Sequence, residues 1–101
     1  MLSDAQKLSK ELENLIKSKT GKDLTAYGKL SMLSAEVGEL ADEVIALEGD
    51  RVEEKDHNDK DETAKEIVDV IFNAITIANH YGINLDDYFE KRLNKIKDKF
   101  Q

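Results

Sequence analysis

The sequence predicts an all-α fold, a four-helix bundle completed by oligomerisation. Three observations predict it. The chain has no proline and only five glycines, so little interrupts a helix. Apolar residues recur three and four positions apart. No Asn-Gly or Asp-Gly turn lies between alternating runs, so hairpin signals are missing.

The first helix is expected from Ser3 to Ser18, on the spacing of Leu8, Leu12, Leu15 and Ile16. Ser3 is its predicted N-cap, and Gly21 follows its end. The second is expected from Thr25 to Glu48, stopped by Gly49-Asp50, with Leu33, Val37, Leu40, Val44 and Leu47 as its core row. Residues 50–61 contain one apolar side chain, Val52, and read as an exposed, mobile loop. A third helix begins between Asp61 and Thr63 and runs to Tyr81, with Gly82 as its stop. Asn84 then caps a fourth, with Asp86 and Asp87 in its first turn. Tyr88, Phe89, Leu93, Ile96 and Phe100 form its apolar side.

The third helix sets the expected assembly. From Ile67 to Ala78 it is apolar nearly all the way round, whereas a surface helix carries one apolar stripe. Three short amphipathic helices cannot easily surround it in a single domain of 101 residues. Subunit association is the expected cover, with Ile71, Ile75 and Ala78 at the interface. The competing reading is a central helix in a monomeric bundle.

Composition narrows the function. Charged residues make up 37% of the chain, and the net charge is −7. That balance argues against nucleic-acid binding, which relies on Lys and Arg at phosphates. There is no cysteine, hence no disulfide framework and no thiolate chemistry. No apolar run reaches the roughly 20 residues of a membrane span, and no signal peptide is visible. A soluble, cytoplasmic protein is expected, with no membrane partner.

With 22 carboxylates in 101 positions, one Glu-x-x-Glu carries no information, so position decides. Glu36, Glu39 and Glu43 lie within about 60° of arc on the second helix, beside its apolar row. Glu66 and Asp69 repeat the three-residue spacing on the third. Asp69 sits between Val68 and Val70, where an unpaired carboxylate costs several kcal/mol. Residues 36–69 hold fourteen acids against Arg51, Lys55, Lys60 and Lys65. A divalent cation would relieve this crowding. Two carboxylate pairs on facing helices suit Mg²⁺ or Mn²⁺. A solvated, salt-bridged helix face is the alternative, and Asp69 in its apolar run speaks against it. His57 reads as solvated. His80, roughly 16 Å along the helix from Asp69, reads as structural or as a pocket rim.

These residues resemble a family. Glu36-Val37-Gly38-Glu39-Leu40 followed by Glu66-Ile67-Val68-Asp69-Val70 is similar to the ExxE…ExxD signature of the MazG-like nucleotide pyrophosphohydrolases. That all-α superfamily includes dimeric dUTPases, dCTP pyrophosphatases and phosphoribosyl-ATP pyrophosphatases. The likeness continues through residues 78–85 and covers about 25–100. It implies a MazG-like bundle and a homodimer or homotetramer. The implied reaction is Mg²⁺-dependent hydrolysis of a nucleoside triphosphate to the monophosphate and pyrophosphate, as nucleotide-pool house-cleaning. It maps the catalytic metal ligands onto Glu36, Glu39, Glu66 and Asp69, with Glu43 as an outer residue or general base. Phosphate and substrate contacts are expected from Lys29, Asn73, Arg92 and Lys99. Relatives carry a Lys, an Asn four later and an Arg three beyond. The aligned positions here are Arg92, Ile96 and Lys99, so Ile96 departs from that pattern. Gly38 in mid-helix costs about 1 kcal/mol relative to Ala and suggests close helix packing or ligand approach. Two alternatives stand beside this reading. One is an acidic helical interaction module without catalysis, and the other is phosphoribosyl-ATP hydrolysis.

Overall fold

A computed structural model describes residues 1–49 and 60–101. Four helices follow in order: α1 (Leu2–Thr20), α2 (Ala26–Leu47), α3 (Lys60–His80) and α4 (Phe89–Asp98), with a 3₁₀ turn at Leu85–Asp87 before α4. No strand occurs among the described residues, so the all-α expectation holds. The loop expected at residues 50–61, with Val52 and His57, lies outside the described residues except for Lys60 and Asp61. Those two belong to α3.

The chain forms two compact units, residues 1–23 with 75–101, and residues 24–74. The division falls within α3.

In the first unit, α1 ends where Gly21 adopts φ 73° and its N–H donates to the Lys17 carbonyl at 2.8 Å. Only glycine enters that left-handed region without strain. The helix starts differently from the expectation. Met1, not Ser3, is the N-cap position, and it supplies no side-chain cap. The free N–H groups of Leu2 and Ser3 instead donate to the Asp86 carboxylate at 2.8 and 3.2 Å. A distant carboxylate does here what a local Ser does elsewhere, satisfying orphan donors at the positive end of the helix dipole.

The end of α3 closes by two crossed bonds, Gly82 N–H to the Asn79 carbonyl and Ile83 N–H to the Ala78 carbonyl, with Gly82 at φ 67°. Gln6, buried on α1, reads this turn. Its Nε2 donates to Asn79 Oδ1 at 3.1 Å and to the Ile83 carbonyl at 2.7 Å, and its Oε1 accepts from Leu85 N–H at 2.9 Å. Asn84 is a cap as expected, accepting from Asp86 N–H at 3.1 Å, but it caps the 3₁₀ turn. Asp86 and Asp87 therefore belong to that turn and not to the first turn of α4. Tyr88, at φ −120° and ψ −28°, separates the two elements. Ile75, Thr76 and Ala78 are buried within the chain itself. The expected interface role of Ile75 and Ala78 is thereby corrected, whereas Ile71 remains exposed.

In the second unit, Thr25 caps α2, its Oγ1 accepting from Gly28 N–H at 3.1 Å. Ala46 and Glu66 are buried, and Leu33, Leu40 and Leu47 are half-buried. Val37 and Val44, expected in the core row, are exposed, as are Ile67 and Val68. The all-round apolar segment of α3 is thus covered by its own chain near Ile75 but not near Ile67.

Candidate metal centre

Two helices of the second unit carry the acids. Glu36, Glu39 and Glu43 project from α2, and Glu66 and Asp69 from α3. One carboxylate oxygen from each of Glu36, Glu39 and Glu66 lies within 4.8 Å of the others. Glu66 is 8% exposed and Glu36 is half-buried, while Glu39 is open to solvent.

Among the described residues, Lys65 is the cation whose charge acts on Glu66, and it does not offset the surrounding acids. The Oε2 atoms of Glu36, Glu43 and Glu66 are buried without a hydrogen-bond partner. Buried oxygens in that state need a proton or a cation. The electrostatics agree. Burial first, then the hydrogen bond and charge of Glu39, then the charge of Asp69, push the Glu36 carboxyl up to about 7. The Glu66 carboxyl is also raised, by burial and by the charges of Glu39 and Asp69. Its hydrogen bond with Glu36 and the nearby Lys65 pull the other way. Asp69 therefore acts on both glutamates through its charge, although the tight oxygen cluster consists of the three glutamates.

An all-oxygen, anionic donor set with unpartnered buried oxygens suits a hard divalent cation such as Mg²⁺ or Mn²⁺. The residues present fit such an ion, and a bound ion would convert mutual repulsion into coordination.

Other expected site residues fall as follows. Lys29 is half-buried on α2. Asn73 lies one turn beyond Asp69, and its Nδ2 donates to the Asp69 carbonyl at 2.8 Å. Arg92 and Lys99 are exposed on α4 and its cap, in the other unit, as is Ile96 between them. His80 is exposed, its ring edge-on to Tyr81 at 4.9 Å. A Cβ built on Gly38 meets nothing within 4 Å, so close packing against the described residues is not what keeps it glycine.

Gln6, Asn79 and Asp86 were absent from the expected set, and all three tie segments of the first unit together. Apolar spacing did not point to Gln6, because the apolar row of α1 is Leu8, Leu12, Leu15 and Ile16, whereas the buried or half-buried side carries the polar Gln6, Ser9 and Glu13.

Residues 25–100 match the MazG nucleotide pyrophosphohydrolase domain. A protein of Bacillus subtilis (strain 168), "Uncharacterized protein YvdC", is 35% identical, with 99% of this chain and 96% of that protein covered. No solved structure gives a significant match.

Proposed function

The chain belongs to the MazG nucleotide pyrophosphohydrolase family, and from that premise we propose that it is a divalent-cation-dependent hydrolase of nucleoside triphosphates. The products are the nucleoside monophosphate and pyrophosphate. One observation carries the reading, the approach of three glutamate oxygens to within 4.8 Å with two of those glutamates presenting buried, unpartnered oxygens.

Glu36, Glu39 and Glu66 would hold the cation, with Asp69, whose charge already acts on Glu36 and Glu66, as the fourth carboxylate. When bound, Mg²⁺ or Mn²⁺ supplies positive charge for the triphosphate and acidifies a bound water. The chain's own residues do the rest. A water oxygen attacks the α-phosphorus, the bond from that phosphorus to the bridging oxygen breaks, and pyrophosphate leaves. The water proton passes to a carboxylate. Glu43 is the proposed acceptor, because it shares the face of Glu36 seven residues on and has a buried, unpartnered Oε2. Lys29 and Asn73 are proposed to orient substrate. Arg92 and Lys99 are proposed phosphate contacts on the family resemblance.

The family match crosses both compact units, which supports reading residues 1–101 as one MazG-like domain. Nucleotide-pool house-cleaning in the cytoplasm, by a homodimer or homotetramer, completes the proposal. No helix among the described residues is long and apolar enough to cross a membrane.

The test is pyrophosphate release from a panel of ribo- and deoxyribonucleoside triphosphates, with and without Mg²⁺, for the wild type and Glu39→Gln. Turnover that needs the cation and collapses in the variant supports the proposal. A folded protein with no turnover on any substrate returns the chain to the non-catalytic interaction module.

A further inference from the structure

The unit that holds the acidic cluster carries cations of its own. Among the described residues of that unit they are Lys29, Lys60 and Lys65. Lys29 is half-buried and already engaged. Lys60 opens α3 six residues before Glu66, which turns it about 120° away from that side chain and to the side opposite Asp69. Lys65 is placed differently. It sits one turn before Asp69, about 6 Å along the axis and about 40° round from it, so the two share a side of α3. Going round the helix from Glu66, Asp69 comes at about 60° and Lys65 at about 100°. Glu66 is buried, Asp69 half-buried and Lys65 exposed. The three run from the floor of the cluster to its rim.

The ammonium group of Lys65 is unspent. Asp61 and Glu62 stand four and three residues before it and Asp69 four after it, spacings at which helical ion pairs form. Among the described residues Lys65 makes no ion pair and no hydrogen bond. Its charge nonetheless reaches the cluster, where it acts on Glu66 against burial and the charges of Glu39 and Asp69. A lysine is a compact point charge on a flexible stem, and one held at the rim of an acidic site without a partner suits an anion that arrives there.

We propose that Lys65 is a phosphate contact of the hydrolase, holding the two phosphates that leave as pyrophosphate. The inference rests on the hydrolase reading above and adds a residue to it. The α-phosphorus must lie near the three clustered glutamates and Glu43, where the attacking water loses its proton. The outer phosphates then extend toward the rim. On the α2 side that rim is Glu39, anionic and open to solvent, which repels them. Beyond Asp69 it is Lys65, which attracts them. When the bond from the α-phosphorus to the bridging oxygen breaks, the electron pair stays on that oxygen and the leaving group gains negative charge. Lys65 meets that charge as a fixed cation and transfers no proton.

Calorimetry with inorganic pyrophosphate at fixed Mg²⁺ tests this, with a nucleoside monophosphate as the reference ligand. Lys65→Met keeps the stem and removes the charge, and Lys65→Arg keeps the charge. Lys65 is exposed, so both variants should keep the wild-type helical circular dichroism and melting behaviour. Lys65→Met should bind pyrophosphate about tenfold or more weakly, the loss of one charge-assisted contact, with monophosphate affinity unchanged. Lys65→Arg should recover most of that loss. The kcat/KM of Lys65→Met for a triphosphate should fall at least as far, because charge on the leaving group grows as the bond breaks. A lysine that only tempers Glu66 gives another pattern: Lys65→Met would bind Mg²⁺ more tightly, and pyrophosphate and monophosphate affinities would move together. That pattern, an unchanged pyrophosphate affinity in Lys65→Met, or a wild type that binds no pyrophosphate would overturn the proposal. Triphosphate turnover by the wild type reads the hydrolase proposal separately. Turnover with a pyrophosphate affinity indifferent to Lys65 removes this contact and leaves the hydrolase standing. Pyrophosphate binding through Lys65 without turnover leaves the contact and removes the hydrolase.

Discussion

Gln6 and Asn79 exchange hydrogen bonds across 73 positions of sequence, Gln6 Nε2 donating to Asn79 Oδ1 at 3.1 Å and Asn79 Nδ2 donating to the Gln6 carbonyl at 3.1 Å. Gln6 also satisfies the Ile83 carbonyl and the Leu85 N–H. One side chain thus joins α1 to the turn that closes α3 and opens the 3₁₀ segment.

Replacing it should be costly. Gln6→Leu fills the space but removes the side-chain partner of Asn79 Oδ1, the Ile83 carbonyl and the Leu85 N–H, while Asn79 Nδ2 keeps its bond to the backbone carbonyl of residue 6. A buried group left in that state costs about 1–3 kcal/mol, and water can reach part of this turn. The expected loss is about 2–3 kcal/mol by urea denaturation with an unchanged slope. A loss below about 0.5 kcal/mol would show that the bonds are decoration on a helix held elsewhere.

Asp86 gives a pH signature. Hydrogen bonds from Ser3 first, then from Leu2, hold its carboxyl at about 2 instead of 3.8. A carboxyl depressed on folding adds stability that is complete above its unfolded value and fades as pH falls through the folded one. The stability gap between wild type and Asp86→Ala should therefore be constant above pH 3.8 and close as the pH falls toward about 2. A gap that persists unchanged through that window would show that the carboxylate charge is not what holds the start of α1.

Glu36 gives the opposite sign. Its carboxyl is raised from 4.5 to about 7, chiefly by burial and by Glu39. The folded state then binds the proton more tightly than the unfolded one, and stability falls as pH rises from 4.5 through 7. Metal-free protein should lose melting temperature across that range. Mg²⁺ should restore it at the upper end, where the carboxylate is free of its proton. Glu36→Gln should flatten the slope, and a slope equal in the variant would place its origin elsewhere.

Asp69→Asn separates a ligand from a surface acid. It preserves shape and removes one of the charges that repel Glu36 and Glu66. Turnover should fall by orders of magnitude, since the chemistry is electrostatic. Stability without metal should hold or rise. Retained turnover, or an equal loss of stability with and without Mg²⁺, would contradict the role assigned to Asp69.

Much of this was legible in the sequence because it is local. Spacing located the helices to within a few residues, Asn84 was readable as a cap, and Gly21 and Gly82 as stops. Glu36, Glu39 and Glu66 were readable as one group because i, i+3 spacing and facing helices place carboxylates together. The misses are long-range. Nothing near Ser3 announces that a carboxylate 83 positions away will serve its N–H. Periodicity names an apolar row but not what lies against it, so Val37 and Val44 were assigned to a core that does not cover them. The same limit sent Ile75 and Ala78 to an interface, although the chain buries them itself.

The most direct test of the central claim follows an oxygen atom. A nucleoside triphosphate that the protein turns over is incubated with Mg²⁺ in ¹⁸O-labelled water, and the products are resolved by mass spectrometry. Water attack at the α-phosphorus, the step proposed above, predicts one ¹⁸O in the nucleoside monophosphate and none in pyrophosphate. Label in the pyrophosphate, release of orthophosphate with a diphosphate, or no Mg²⁺-dependent product from any triphosphate would contradict it.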